Sequence, residues 1–127
     1  MKTLSRILLA ISAIVLLFGA WIHTSAFGRV SDAVAKSDLP PFLGKGFKTL
    51  WLQDSGLQII LAIVFGVLAI RPPAATRPIV LIIALIPTTT ALLIYYFIGN
   101  FIGGHVFLAV AIAAILGGLL YPESGQN

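Results

Sequence analysis

Apolar residues fall into four long blocks along the chain, parted by three breaks, and polar residues alternate with them nowhere. The blocks run from Ile7 to Phe27, Leu50 to Ile70, Ile79 to Gly99 and Phe101 to Tyr121. Each has about the length that crosses a hydrocarbon core of about 30 Å at about 1.5 Å per residue. Lipid offers the backbone no hydrogen-bond partner, so each block must pair its own amides, which a helix does. A spanning strand would need only about 10 residues and would alternate apolar with polar positions. The pattern predicts an all-α, integral membrane four-helix bundle, one transmembrane domain over residues 1–127, with helices at about 5–27, 50–70, 78–98 and 101–121.

The breaks set the connections. The first, residues 28–49, carries Arg29, Asp32, Lys36, Asp38, Lys45 and Lys48 around "LPPFLGKGFKTLWL". Prolines, glycines, charges and apolar residues mixed in this way predict a long extracytoplasmic loop lying in the membrane interface. The second, "RPPAATRP", is short, and its Pro78 suits a first helical turn. The third, at Gly99-Asn100, predicts a tight turn that pairs the third and fourth helices as a hairpin. The opening block also reads as a signal peptide, with a basic start, an apolar run and Thr24-Ser25-Ala26 as a cleavage site. Its apolar run is longer than such regions, so a retained helix is expected.

Composition sharpens the picture. Of 127 residues 59% are hydrophobic and 9% charged, where a soluble domain carries about a quarter charged. There is no cysteine, which excludes disulfides, thiolate catalysis and cysteine-ligated metal centres. The net charge of +4 points to anionic membrane lipids as partners, not to nucleic acid, because no basic stripe interleaves with aromatics. Lys2, Arg6, Arg71 and Arg77 flank one side of the blocks in short, acid-free segments. Arg29, Lys36, Lys45 and Lys48 flank the other, mixed with Asp32 and Asp38. The first group marks the cytoplasmic side, with both termini in the cytoplasm.

Packing signals lie within the blocks. Ala109, Ala113 and Gly117 recur every four residues, and Ala62 with Gly66 does the same. Such small faces let helices approach closely in lipid. Pro87 is followed by Thr88, Thr89 and Thr90, so a kink relieved by hydroxyl groups is expected.

The alternation of helices brings the polar residues to one membrane face. His23 lies near the end of the first helix and Asp54 near the start of the second. Tyr95 and Tyr96 close the third, and Asn100 and His105 open the fourth. A pocket open to the outer leaflet is expected, with His23, Asp54 and His105 as its catalytic candidates. Trp21, Trp51, Gln58, Tyr95, Tyr96 and Asn100 are its ligand-binding candidates. Such a pocket would bind, and could transform, a lipophilic molecule such as a quinone, isoprenoid or lipid, with a histidine moving protons near neutral pH. The plainer readings are an aromatic belt for the tryptophans and tyrosines, a turn residue for Asn100 and a helix cap for Asp54. A b-type haem or a metal held by the histidines is an alternative, although no metal ligand set or cofactor is assigned. A further alternative is a non-catalytic subunit whose small faces dock a larger membrane complex, or a homo-oligomer.

The four-span layout, the long first connection, "LWLQDSGLQIILAIVFGVLAI" opening the second span and the glycine–histidine pair Gly104-His105 opening the fourth resemble DoxX-like small bacterial membrane proteins. The resemblance implies a four-helix bundle in the bacterial inner membrane, and quinone or redox partners for some relatives. Small four-helix drug exporters are similar in size alone, for the first span here has neither Asp nor Glu.

Overall fold

The computed structural model describes residues 2–122. Helix α1 spans Lys2–Ser25, α2 Phe27–Ala35, α3 Pro41–Ile70, α4 Arg77–Phe97 and α5 Ile102–Leu119. A single 3-10 turn, Pro72–Ala74, joins α3 to α4. No strand occurs among the described residues. Four helical segments are long and apolar enough to cross a membrane: α1 with α2 running on from it, α3, α4 and α5. The chain is an all-α four-helix bundle.

The first connection differs from the expected loop. Only Ala26 interrupts the helix between α1 and α2, and α3 starts at Pro41, well before the Leu50 at which the second helix was expected. Pro41 takes the first helical position, where a fixed φ is favourable and no N–H is lost from the helix. Pro40, extended at φ −52° and ψ 142°, separates α2 from α3. The two helices touch where Val34 meets Gly44: a Cβ on Gly44 would lie 3.0 Å from a Val34 methyl. The other helix ends fall within three residues of the expected ones.

Around the bundle α1 packs against both α3 and α5, and α4 packs on α5. Leu9, Leu16, Leu61, Phe65, Val80, Ala84, Val110 and Ala114 fill the common core. In lipid such a core is held by close van der Waals fit more than by exclusion of water. Gly66 lies over the Ala13 side chain, so the small pair of α3 serves its expected purpose. On α5 the expected small stripe is displaced. Ala109 is exposed and Ala113 half-buried, while Gly104, Phe107, Ala111, Ala114 and Gly118 turn inward with Gly117. This helix is apolar on every side, so spacing alone could not choose its buried face.

Two ladders fix the depth of each residue. Along α1 and α5, the Ser5 hydroxyl donates to the Gly117 carbonyl at 2.7 Å, and Gly19 lies beside Val106. Along α1 and α3, the Arg6 Nε–H donates to the Ala69 carbonyl at 2.7 Å, and His23 meets Ser55. Arg6 thus places its charge on the last carbonyls of α3, the negative end of that helix. From Arg6 to His23 the rise is about 26 Å at about 1.5 Å per residue, close to one hydrocarbon thickness. Residues 26–50 therefore project beyond the α4–α5 turn as a pair of helical arms.

At the Arg6 end, the Tyr121 hydroxyl donates to the Pro72 carbonyl at 2.6 Å and ties the chain after α5 to the α3–α4 turn. Pro87 sits inside α4 without ending it, and Thr88 and Thr90 donate to the carbonyls of Ala84 and Ile86. The α4–α5 turn closes with the amides of Ile98 and Gly99 both directed at the Ile94 carbonyl. Gly99 has φ +84°, a left-handed conformation that glycine enters without strain.

Candidate functional site

Two histidine clusters stand at the same end of the bundle, each built by different helices. In the first, α1 presents His23 and α3 presents Trp51, Asp54, Ser55 and Gln58. Positions 51, 55 and 58 recur at the four- and three-residue steps of one helix face, which aims them at α1. The Trp51 indole N–H donates to the His23 carbonyl at 2.9 Å, and the two rings stack with centroids 4.0 Å apart. The Ser55 hydroxyl lies 2.9 Å from His23 Nδ1. His23 Nε2 faces an oxygen of Asp54 across 3.6 Å. That oxygen also accepts a 2.8 Å hydrogen bond from the side-chain amide of Gln58.

A carboxylate opposite Nε2 favours the tautomer with its proton there. The Ser55 hydroxyl, which also lies 3.5 Å from the Trp51 carbonyl, then turns its proton to Nδ1 over the shorter distance. Gln58 and Ser55 are buried, whereas the side chains of His23 and Asp54 keep 25% and 30% of their surface exposed. The buried pair anchors the half-exposed pair. Asp54 is the one acid of α3 and lies level with His23, near the end of α1. A charge toward the end of a span costs less than the about 2.5 to 3.5 kcal/mol of mid-bilayer.

The second cluster belongs to the α4–α5 hairpin. Tyr95 Oη lies 2.6 Å from His105 Nδ1, and His105 Nε2 lies 2.8 Å from Asn100 Oδ1. The amide oxygen only accepts, so Nε2 carries the proton and Tyr95 donates to Nδ1. Gly104 lets the turn close on Tyr95: a Cβ there would meet its ring at 3.3 Å. Both nitrogens of this imidazole are engaged, and the ring is exposed.

His23, Asp54 and His105 thus stand at the same end of the bundle in two separately hydrogen-bonded groups. Among the described residues no hydrogen bond, ion pair or ring contact joins the clusters. The physical reason is local: Tyr95 and Asn100 lie on the same hairpin as His105 and take both its nitrogens. His105 also sits on the exposed side of α5, not on the close-packed stripe. The same engagement does not fit a haem ligated by both imidazoles. Nor does any group of three His, Cys, Asp or Glu side chains among the described residues come together to hold a metal ion.

The remaining candidates lie apart from both clusters. Trp21, 66% exposed, touches Phe18, and Tyr96, 81% exposed, meets Phe97 edge-on. Ser55 was missed, although counting one helical face from Trp51 to Gln58 finds it. Two shallow grooves lie elsewhere: one between α1 and α3 at the Arg6 end, the other beneath Val30, Val34 and Phe47.

Four apolar spans, an apolar outer surface and polar groups gathered at the helix ends define a small multi-pass membrane protein. In comparisons with known proteins no family model, curated protein or solved structure matches the chain.

Proposed function

We propose that this membrane protein receives the polar end of a lipophilic molecule, such as a quinone, isoprenoid or lipid, at the His23–Asp54 pair. One observation carries the reading: a half-exposed imidazole and carboxylate are held in place by buried Ser55 and Gln58 at the end of the bundle opposite Arg6. An apolar molecule dissolved in the bilayer reaches that level with its headgroup and leaves its tail among the spans. His23 is the group that would exchange a proton with it, and Asp54 would steady the imidazolium. The setting we assign is a bacterial inner membrane with both termini in the cytoplasm. Lys2, Arg6, Arg71 and Arg77 at one end support that orientation, and the likeness to DoxX-like proteins supports that membrane.

The test is mass spectrometry of apolar molecules that co-purify with the protein and with its His23→Ala and Tyr95→Phe variants. The reading expects one species bound near stoichiometry, lost from His23→Ala and retained by Tyr95→Phe. Its retention in both variants, or no bound species at all, would refute the reading. A second reading, a subunit that docks a larger membrane complex, draws on the projecting arms. Their tip exposes Leu39, Phe42 and Leu43. A partner protein that stays with the intact chain and leaves when Phe42→Ser is introduced would favour it.

A further inference from the structure

Within the reading of His23–Asp54 as a headgroup site, on which this inference rests, the two side chains also state what the headgroup must be. The carboxylate facing Nε2 favours the His23 tautomer with its proton there, so that Nε2 donates. The Asp54 carboxylate can only accept, and one of its oxygens already holds the Gln58 amide at 2.8 Å. Donor and acceptor face each other across 3.6 Å, beyond a proper hydrogen bond. A single oxygen at about 2.8 Å from both closes that gap within ordinary hydrogen-bond lengths.

We propose that the pair recognises a hydroxyl group on an apolar molecule, a phenol or a long-chain alcohol. A hydroxyl accepts from Nε2–H with a lone pair and donates its own proton to the carboxylate. A ketone, ester or ether oxygen only accepts and would turn its lone pairs toward Asp54. An ammonium group only donates and would oppose Nε2–H. The bond to Asp54 is the stronger of the two because its acceptor is charged. The molecule's apolar body is provided for as well. Trp51 covers one face of the imidazole, and Phe47 lies 6.2 Å from Trp51 on the next turn of α3. His105 offers no equivalent, since Tyr95 and Asn100 already fill its accepting and donating nitrogens.

The test compares 4-octylphenol with its methyl ether, 4-octylanisole, which have the same ring and tail. Trp51 reports binding by its fluorescence in the purified full chain, with Trp21→Phe removing the other indole. The phenol is expected to change Trp51 emission saturably, with half-saturation at least tenfold below that of the ether. Asp54→Asn keeps the side chain's shape but removes the charge, and should bring the ratio below about threefold. Tyr95→Phe should leave it unchanged. Equal affinity for phenol and ether in the Trp21→Phe protein would overturn the hydroxyl preference and leave the headgroup reading standing. No saturable change with either probe would overturn both. A full preference persisting in Asp54→Asn would place the hydroxyl elsewhere and likewise overturn the proposal. The phenol–ether comparison decides the matter even where Asp54→Asn does not fold.

Discussion

Gln58 holds the carboxylate, and Gly19 makes room for Gln58. A Cβ at position 19 would stand 2.7 Å from the Gln58 side-chain oxygen, so Gly19→Ala must push that amide aside. The displaced atom is the end of a flexible side chain, so the cost to stability should stay below about 1 kcal/mol, in the range of ordinary substitutions. The cost to the site should be larger, because Asp54 loses the partner that fixes it. The expected outcome is a melting temperature close to the parent's with clear loss of the co-purifying molecule. A normal ligand content would show that Gln58 does not position Asp54. Tyr121 offers a second residue-scale test. Burial pushes its phenol up from the ordinary value of about 10. The folded state then keeps the proton longer than the unfolded one, so this contribution is complete below about pH 10 and fades as pH rises through the raised value. Tyr121→Phe should cost about 0.5 to 1.5 kcal/mol at neutral pH by removing the bond to Pro72. It should also flatten the loss of stability above about pH 10, measured by thermal melts across that range. Individual polar residues were legible in sequence because so few interrupt the apolar spans. Their partners were not, since a pair such as Tyr95 and His105 depends on how a turn closes.

Among the elements, α4 and α5 approach each other closely at Gly118. A Cβ on Gly118 would come within 2.7 Å of a Leu81 methyl and 3.2 Å of its branch carbon. Gly118→Ala must therefore separate the helices or force Leu81 from its rotamer, at about 1 to 3 kcal/mol. Thermal unfolding in detergent should show that loss, and restored stability in Gly118→Ala/Leu81→Ala would confirm its origin. An unchanged melting temperature in the single variant would argue against close packing there. The spans themselves were evident from apolar length, which lipid enforces. The arms were hidden for a different reason. Residues 27–49 are too short and too charged for a spanning pattern, and Gly44 and Gly46 weaken the helical one. Yet Pro41 at a first helical position was a signal available in the sequence, and the contact of Val34 with Gly44 explains why helix persists there. On α5 the reverse held: so many small residues occur that the face buried could not be told from the face left to lipid.

At the scale of the whole molecule the bundle is asymmetric from end to end. One end is tied by Ser5, Arg6 and Tyr121 through bonds to the backbone of neighbouring elements. The other carries both histidines and opens into the arms. The common depth of the histidines was readable from four alternating helices. The partners each one takes were not, because helix rotation and turn closure decide which groups meet. The central claim is that the two imidazoles differ in kind, His23 facing a ligand and His105 closed by its own hairpin. Imidazole nitrogen NMR of the full chain, labelled with 15N-histidine and assigned by His105→Gln, tests it most directly. On addition of 4-octylphenol the two nitrogen signals of His23 should move, with Nε2 shifting most, while those of His105 stay in place. Movement of His105 in place of His23, or of neither, would contradict the claim.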